Sequence, residues 1–115
     1  MTIKEMIEKC SFILLTKDSD TNKEVKSAYS CDLLSWVMSH GTADMALITI
    51  HTHLNVIAIA TLLEMACVII PEKIAVPQEV IEKAIEENVC ILQSEKTAYE
   101  ICGMLYADGL KAASK

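Results

Sequence analysis

Met45-Ala46-Leu47-Ile48-Thr49-Ile50-His51-Thr52-His53-Leu54-Asn55-Val56-Ile57-Ala58-Ile59-Ala60-Thr61-Leu62-Leu63 contains no Asp, Glu, Lys or Arg, while the chain up to Asp32 and from Glu64 onward is densely charged. His51, Thr52, His53 and Asn55 interrupt this apolar run once, at its middle. Upstream of them, Ala46 to Ile50 reads as a central strand, apolar on both faces as parallel strands are. Downstream, a helix from about His53 to Met65 has so little charge that it must be covered on most sides. The four polar residues then form a corner after a strand's carboxyl end, where open α/β sheets present polar groups to a ligand. A bilayer span of about 18 residues would fit the length. It would, however, put both histidines, the hydroxyl and the amide near the bilayer centre at a cost of several kcal/mol. Strand, corner and helix are the better reading.

The same alternation extends in both directions. Thr2 and Glu5 form a capping box ahead of Ile3, Met6 and Ile7, and Phe12 to Leu15 is a short strand. The segment from Thr16 to Glu24 is wholly polar and reads as the most mobile loop. Val25 to Tyr29 is a strand of mixed polarity suited to a sheet edge. Cys31 to His40 is a helix burying Leu33, Leu34, Val37 and Met38, with Gly41 as its C-cap. Cys67 to Ile70 is a buried strand ended by Pro71. After Pro77 a helix runs to Asn88 and turns Val80, Ile81, Ala84 and Ile85 inward. Val89 to Leu92 is a strand, and Ser94 is read as the cap of a last helix with Ala98, Ile101, Cys102 and Leu105 as its core stripe. Regular strand–helix alternation builds a parallel sheet covered on both faces. The expected fold is a three-layer α/β/α sandwich with a mostly parallel sheet of about five strands, residues 1–115 forming one domain.

The remaining bulk properties exclude classes. The formal charge is −6, from 16 acidic residues against 10 lysines, with no arginine and one Phe. Without arginine forks for phosphate or guanine, nucleic acid is an unsuitable partner. Five scattered cysteines without a C-x-x-C pair read as packed free thiols, which implies a reducing cytoplasm. Met1 to Lys9 is charged and has no apolar core, so it is not read as a signal peptide.

Strand ends place the candidate site. Asp32, His51, Thr52, His53, Asn55, Glu72 and Ser94 all follow expected carboxyl ends, and are expected around one concave edge. The free N–H groups near His53 would favour an anion or polar ligand atom. Each residue also has a purely structural reading: Thr52 as an N-cap closed by Asn55, Asp32 beside a helix start, His40 as a C-terminal cap. His51 and His53 have H-x-H spacing, with Asp32 or Glu72 as a third ligand, but no third ligand is fixed by the sequence and no metal or cofactor is assigned. A Gly-rich phosphate loop, G-x-S-x-G and a strand–Cys–helix nucleophile are all missing, so no enzyme is expected. Cys31, near a helix start, is read as a structural thiol.

Cys31-Asp32-Leu33-Leu34-Ser35-Trp36-Val37-Met38, Ile48-Thr49-Ile50-His51-Thr52-His53-Leu54-Asn55 and Ala98-Tyr99-Glu100-Ile101 together resemble the DRTGG domain family, in its small stand-alone form. Related domains occur between CBS domains in regulatory pyrophosphatases and in phosphotransacetylases, and are similar to the N-terminal domain of HPr kinase. The resemblance implies an α/β/α sandwich with a non-catalytic regulatory or dimerising role. It also points to a regulatory protein partner in redox or hydrogenase-related signalling. Where the family's Asp-Arg pair would stand, this chain has Thr52-His53-Leu54-Asn55; where Thr-Gly-Gly would stand, it has Ile70-Pro71-Glu72. The roles of the namesake residues are therefore not carried over.

Three functions remain open: a cytoplasmic ligand-sensing and self-associating module, a purely structural interaction domain, or a metal-binding protein or minor enzyme using His51, His53 and Asp32. A homodimer is expected because the helix after His53 has no residue suited to solvent on its outer face. Trp36, Met38, Met45, Met65 and Met104 are read as further candidates for exposed apolar surface.

Overall fold

The computed structural model describes residues 1–114. In chain order the elements are α1 (Ile3–Cys10), β1 (Ile13–Leu14), β2 (Ser27–Ser30), α2 (Leu34–His40), β3 (Met45–Ile48) and α3 (Leu54–Leu62). They continue with β4 (Cys67–Ile70), α4 (Gln78–Glu86), β5 (Ile91–Gln93), α5 (Ala98–Ala107) and β6 (Lys111–Ala112). The apolar run quoted above thus divides into a strand and a helix. Among the described residues no helix is long and apolar enough to cross a membrane.

The strands form one sheet in the order β1-β5-β4-β3-β2-β6. All neighbours are parallel except β1, which lies antiparallel on β5. β3 and β4 are buried along their whole length. Their alternate residues feed two cores. Ala46, Ile48, Cys67 and Ile69 pack with α1 and α5 through Ile3, Met6, Ile101 and Leu105. Met45, Leu47, Val68 and Ile70 pack under α2, α3 and α4 through Val37, Val56, Ile57, Ala60, Val80 and Ala84. This is the expected α/β sandwich, with six strands instead of about five. The sixth, β6, is too short and exposed to read from hydrophobic pattern. It pairs with β2, so β2 is not the sheet edge expected of it.

Several local expectations are corrected. α2 begins at Leu34, and Val37 is its one buried residue. Leu33 and Met38 face outward at 61% and 48% exposure, since a two-turn helix can turn only a narrow stripe inward. Met45 and Met65 are core residues, not surface, and Met104 is half-buried. β3 stops at Ile48, leaving Ile50 half-exposed at the corner. The polar Thr16–Glu24 segment is anchored: the Lys23 and Thr21 carbonyls accept from the Ile3 and Lys4 amides. The buried Thr16 hydroxyl accepts from the Ile91 amide at 3.0 Å. Gly41 caps α2 with extended backbone, not in the left-handed conformation. Its lack of a Cβ serves close packing, because a Cβ there would lie 2.8 Å from Leu63 Cδ1 and 2.9 Å from the Val37 carbonyl oxygen.

Ser94 does not cap α5. Thr97 does: its side chain accepts from the Glu100 amide while Glu100 Oε1 accepts from the Thr97 amide. Thr2 and Glu5 form the same box on α1, as expected. Hydrogen bonds, first from the Thr97 backbone and then from its hydroxyl, hold the Glu100 carboxyl below its usual range; those of Thr2 do the same for Glu5.

A carboxyl pKa lowered on folding adds stability above the unfolded value and loses it as pH falls through the folded one. Thr97→Ala is therefore expected to lower the melting temperature at pH 7 by more than at pH 3, as read by thermal unfolding at both. An equal loss at the two would contradict the box. Gly41→Ala, with the Val37 carbonyl unable to withdraw, should destabilise by about 1–3 kcal/mol in denaturant titration. A neutral result would show that the Gly41 contact is not close.

Candidate functional site

The corner is built from the end of β3 outward. Thr49 is buried, and its hydroxyl donates to Asp32 Oδ1 at 2.9 Å. The Ile50 amide donates to the same oxygen at 2.9 Å, and the His51 amide reaches back to Thr49 Oγ1 at 3.3 Å. The His51 imidazole Nε2 donates to the Asp32 carbonyl, which places its proton on that nitrogen. Asp32 thereby ties the loop after β2 to the loop after β3. The Cys31 amide adds a further link to the Ile48 carbonyl at 3.2 Å.

A second tie joins the loops after β4 and β5. The Glu72 amide donates to the Lys96 carbonyl at 2.8 Å, and the Lys73 amide to the Ser94 carbonyl at 2.7 Å. Buried Ser94 accepts from the Lys96 amide through its hydroxyl at 3.1 Å. Glu72 and Lys73 both have left-handed backbone, φ 57° and 53°, and the Ile74 amide closes on the Pro71 carbonyl. That is the geometry of a tight turn with two positive-φ positions, which usually takes Asn-Gly.

Between these ties lies the third part. Thr52, His53, Leu54 and Asn55 line a cavity of about 320 Å³ together with Pro77, Glu79 and Val80. The first turns of α3 and α4 both open onto it. His53 caps α3 and Pro77 caps α4, and neither supplies a side-chain cap bond. Thr52 therefore does not cap α3 and Asn55 does not close such a cap. The side chains of Thr52, His53 and Asn55 make no hydrogen bond among the described residues. The sequence singled out neither Pro77 nor Glu79. The signal was available, since α4 also starts at the carboxyl edge, but a seven-residue link from β4 separated it from the strand end.

All seven candidate residues thus follow carboxyl ends of parallel strands, as the topology requires. Direct bonds join Asp32 to His51, and the Glu72 loop to Ser94. Thr52, His53 and Asn55 share a cavity that Asp32, His51, Glu72 and Ser94 do not line. Among the described residues no group of three or more His, Cys, Asp or Glu side chains is placed to hold a metal ion. His40 stacks on Trp36 at 4.0 Å between ring centroids, and its Nδ1 lies 3.0 Å from the Trp36 carbonyl, a helix-end role.

No protein-family model matches the chain, and no curated protein matches it. Among solved structures it is similar to the CBS and DRTGG domains of the regulatory region of Clostridium perfringens pyrophosphatase, complexed with the activator diadenosine tetraphosphate. The TM-score is 0.68 at 9% sequence identity, over 90% of this chain and 45% of that one. The likeness shows a related fold, and this chain spans less than half of that structure.

If Asp32 holds the corner through Thr49, Asp32→Ala and Thr49→Val should each destabilise, with a coupling of about 1 kcal/mol in a double-mutant cycle. Additive losses would show that the bond contributes nothing of its own. Glu72→Asn combined with Lys73→Gly should stabilise by about 1 kcal/mol, because it relieves two strained φ angles and removes only an exposed ion pair to Glu95. A loss of stability would contradict the turn.

Proposed function

We propose that this domain is a non-catalytic cytoplasmic regulatory module that senses a small anionic, nucleotide-like ligand between the first turns of α3 and α4. One observation carries the reading: two adjacent helix N-termini without side-chain caps open onto a single cavity, lined by a hydroxyl, an imidazole and an amide that have no hydrogen-bond partner among the described residues. Uncapped first-turn N–H groups and the helix dipoles favour an anion there. About 320 Å³ falls within the usual range of ligand pockets. The neighbour in fold, a regulatory region holding a nucleotide activator, is consistent with this role.

In this reading Asp32 and His51 are structural members of the site, because their bonds fix the corner. Ser94 and the Glu72 turn fix the loops beside it. Thr52, His53 and Asn55 contact the ligand, and Glu79 limits its negative charge. That division also argues against catalysis. Asp32 Oδ1 and His51 Nε2 serve Thr49 and backbone bonds and are not bonded to each other. A purely structural domain would be expected to show Thr52 and Asn55 bonded as caps.

A thermal-shift titration with pyrophosphate, ADP and diadenosine tetraphosphate tests the proposal. A rise that grows with the logarithm of ligand concentration is expected, on the order of 2.7 kcal/mol at a hundredfold excess over Kd. The affinity should fall at least about tenfold in His53→Ala/Asn55→Ala and rise in Glu79→Gln. No shift with any of the three would favour the structural reading.

Self-association belongs to the same proposal. Leu33, Trp36, Met38, Ile50, Leu54 and Leu62 are each about half or more exposed, and all belong to α2, α3 or the turns that lead into them. From Leu33 to Leu63 only Asp44 is charged, apart from the histidines. In a chain of charge −6, this is the face on which a second copy can dock without carboxylate repulsion. A standard interface buries about 800 Å² a side, so these six side chains would form its apolar centre and need further neighbours around them. Sedimentation equilibrium at tens of micromolar should give a dimer mass, and Leu54→Lys/Leu62→Glu a folded monomer. A wild-type monomer would defeat the claim.

A further inference from the structure

A crevice of about 400 Å³ lies at the opposite edge of the sheet, where β4 and β5 begin, beneath the polar 16–24 loop. Ile3, Ala66, Ile85 and Val89 give it an apolar floor. The loop supplies Lys17, Asp18, Ser19, Asp20 and Lys23, and Asn88 and Cys90 complete the wall. Among the described residues, neither lysine forms an ion pair with either aspartate, although all four line one crevice. Lys23 is the unusual member. It is half-buried, and its Nζ donates to the Met65 carbonyl at 3.3 Å. Burial pushes the Cys67 and Cys90 thiols up, and the Lys23 charge opposes that rise. An ammonium drawn inward is normally matched by a carboxylate. Here Asp18 and Asp20 stay exposed at the rim instead.

We infer that this crevice is a second ligand site, built for a small zwitterion of the α-amino-acid class with an aliphatic side chain. The ligand's carboxylate enters toward Lys23, whose ammonium has donors left beyond its bond to the Met65 carbonyl, while the Ser19 hydroxyl is already given to the Thr16 carbonyl. Its ammonium stays with the rim aspartates, and its side chain lies on the Ile85–Val89 floor. Two lysines against two aspartates give a lining of zero net charge, which suits a neutral ligand carrying both signs and disfavours a polyanion. The volume accommodates a leucine-sized molecule. This site is separated from the carboxyl-edge cavity by the length of the strands and stands independently of the function proposed for it.

The test is an amide chemical-shift titration of the intact chain with L-valine, L-leucine and L-serine. In parallel, 4-methylpentanoate and isopentylamine each carry one half of the leucine charge pattern. Saturable shifts at residues 17–23 and 88–90 are expected with L-leucine by about 10 mM, with each half-ligand at least about tenfold weaker. Lys23→Met should weaken leucine binding by a similar factor. The half-ligand comparison is made on the wild-type chain, so it holds even if that variant unfolds. No saturable shift with any amino acid, equal binding of 4-methylpentanoate, or shifts confined to residues 52–55 would overturn the inference.

Discussion

The Asp32 carboxylate is the constraint on which the carboxyl edge depends. One of its oxygens receives both the buried Thr49 hydroxyl and the Ile50 amide, and the carbonyl of the same residue receives the His51 ring. Without that carboxylate the buried Thr49 hydroxyl would keep the His51 amide but lose the acceptor for its own proton, a cost of about 1 kcal/mol or more. The chain leaving β3 would also lose the bonds that turn it away from the sheet plane. These bonds stop at His51, and beyond it neither Thr52 nor Asn55 caps α3, so the first turn of that helix stays open.

Charge distribution organises the outer surfaces in the same manner. The helix layer over the second core has α4 on one flank, with Glu79, Glu82, Lys83, Glu86 and Glu87 facing out, and Lys83 paired to both Glu86 and Glu87. α2 and α3 present almost no charge beside it. The border between these two surfaces is a groove lined by Leu54, Ile57, Ala58, Thr61, Lys83 and Glu87. Leu54 and Asn55 line both that groove and the carboxyl-edge cavity. Whatever fills the cavity therefore touches residues that also belong to the apolar face.

The sequence carried the fold well because β3 and β4 are apolar on both faces, a pattern that only a covered parallel sheet explains. It also placed the corner, since a break of four polar residues inside such a run has few other meanings. It failed where energetics depend on partners distant in the chain. Ser94 and Thr97 are equally plausible caps by type, and only the Glu100 register selects Thr97. Asp32 and Glu72 both follow strand ends, yet their bonds go to neighbouring loops seventeen to twenty-four residues away, and a strand list cannot show that. Met45 and Met38 are alike in composition, but one lies on a central strand and the other on the outer side of a two-turn helix.

Amide hydrogen exchange at Leu54 and Asn55 probes the open first turn most directly. An uncapped α3 predicts exchange near the unstructured rate in the free protein, slowed at least about tenfold when a polyphosphate ligand is added at saturation. Strong protection of these two amides in the free protein, or exchange unchanged by a ligand that binds, would contradict the site.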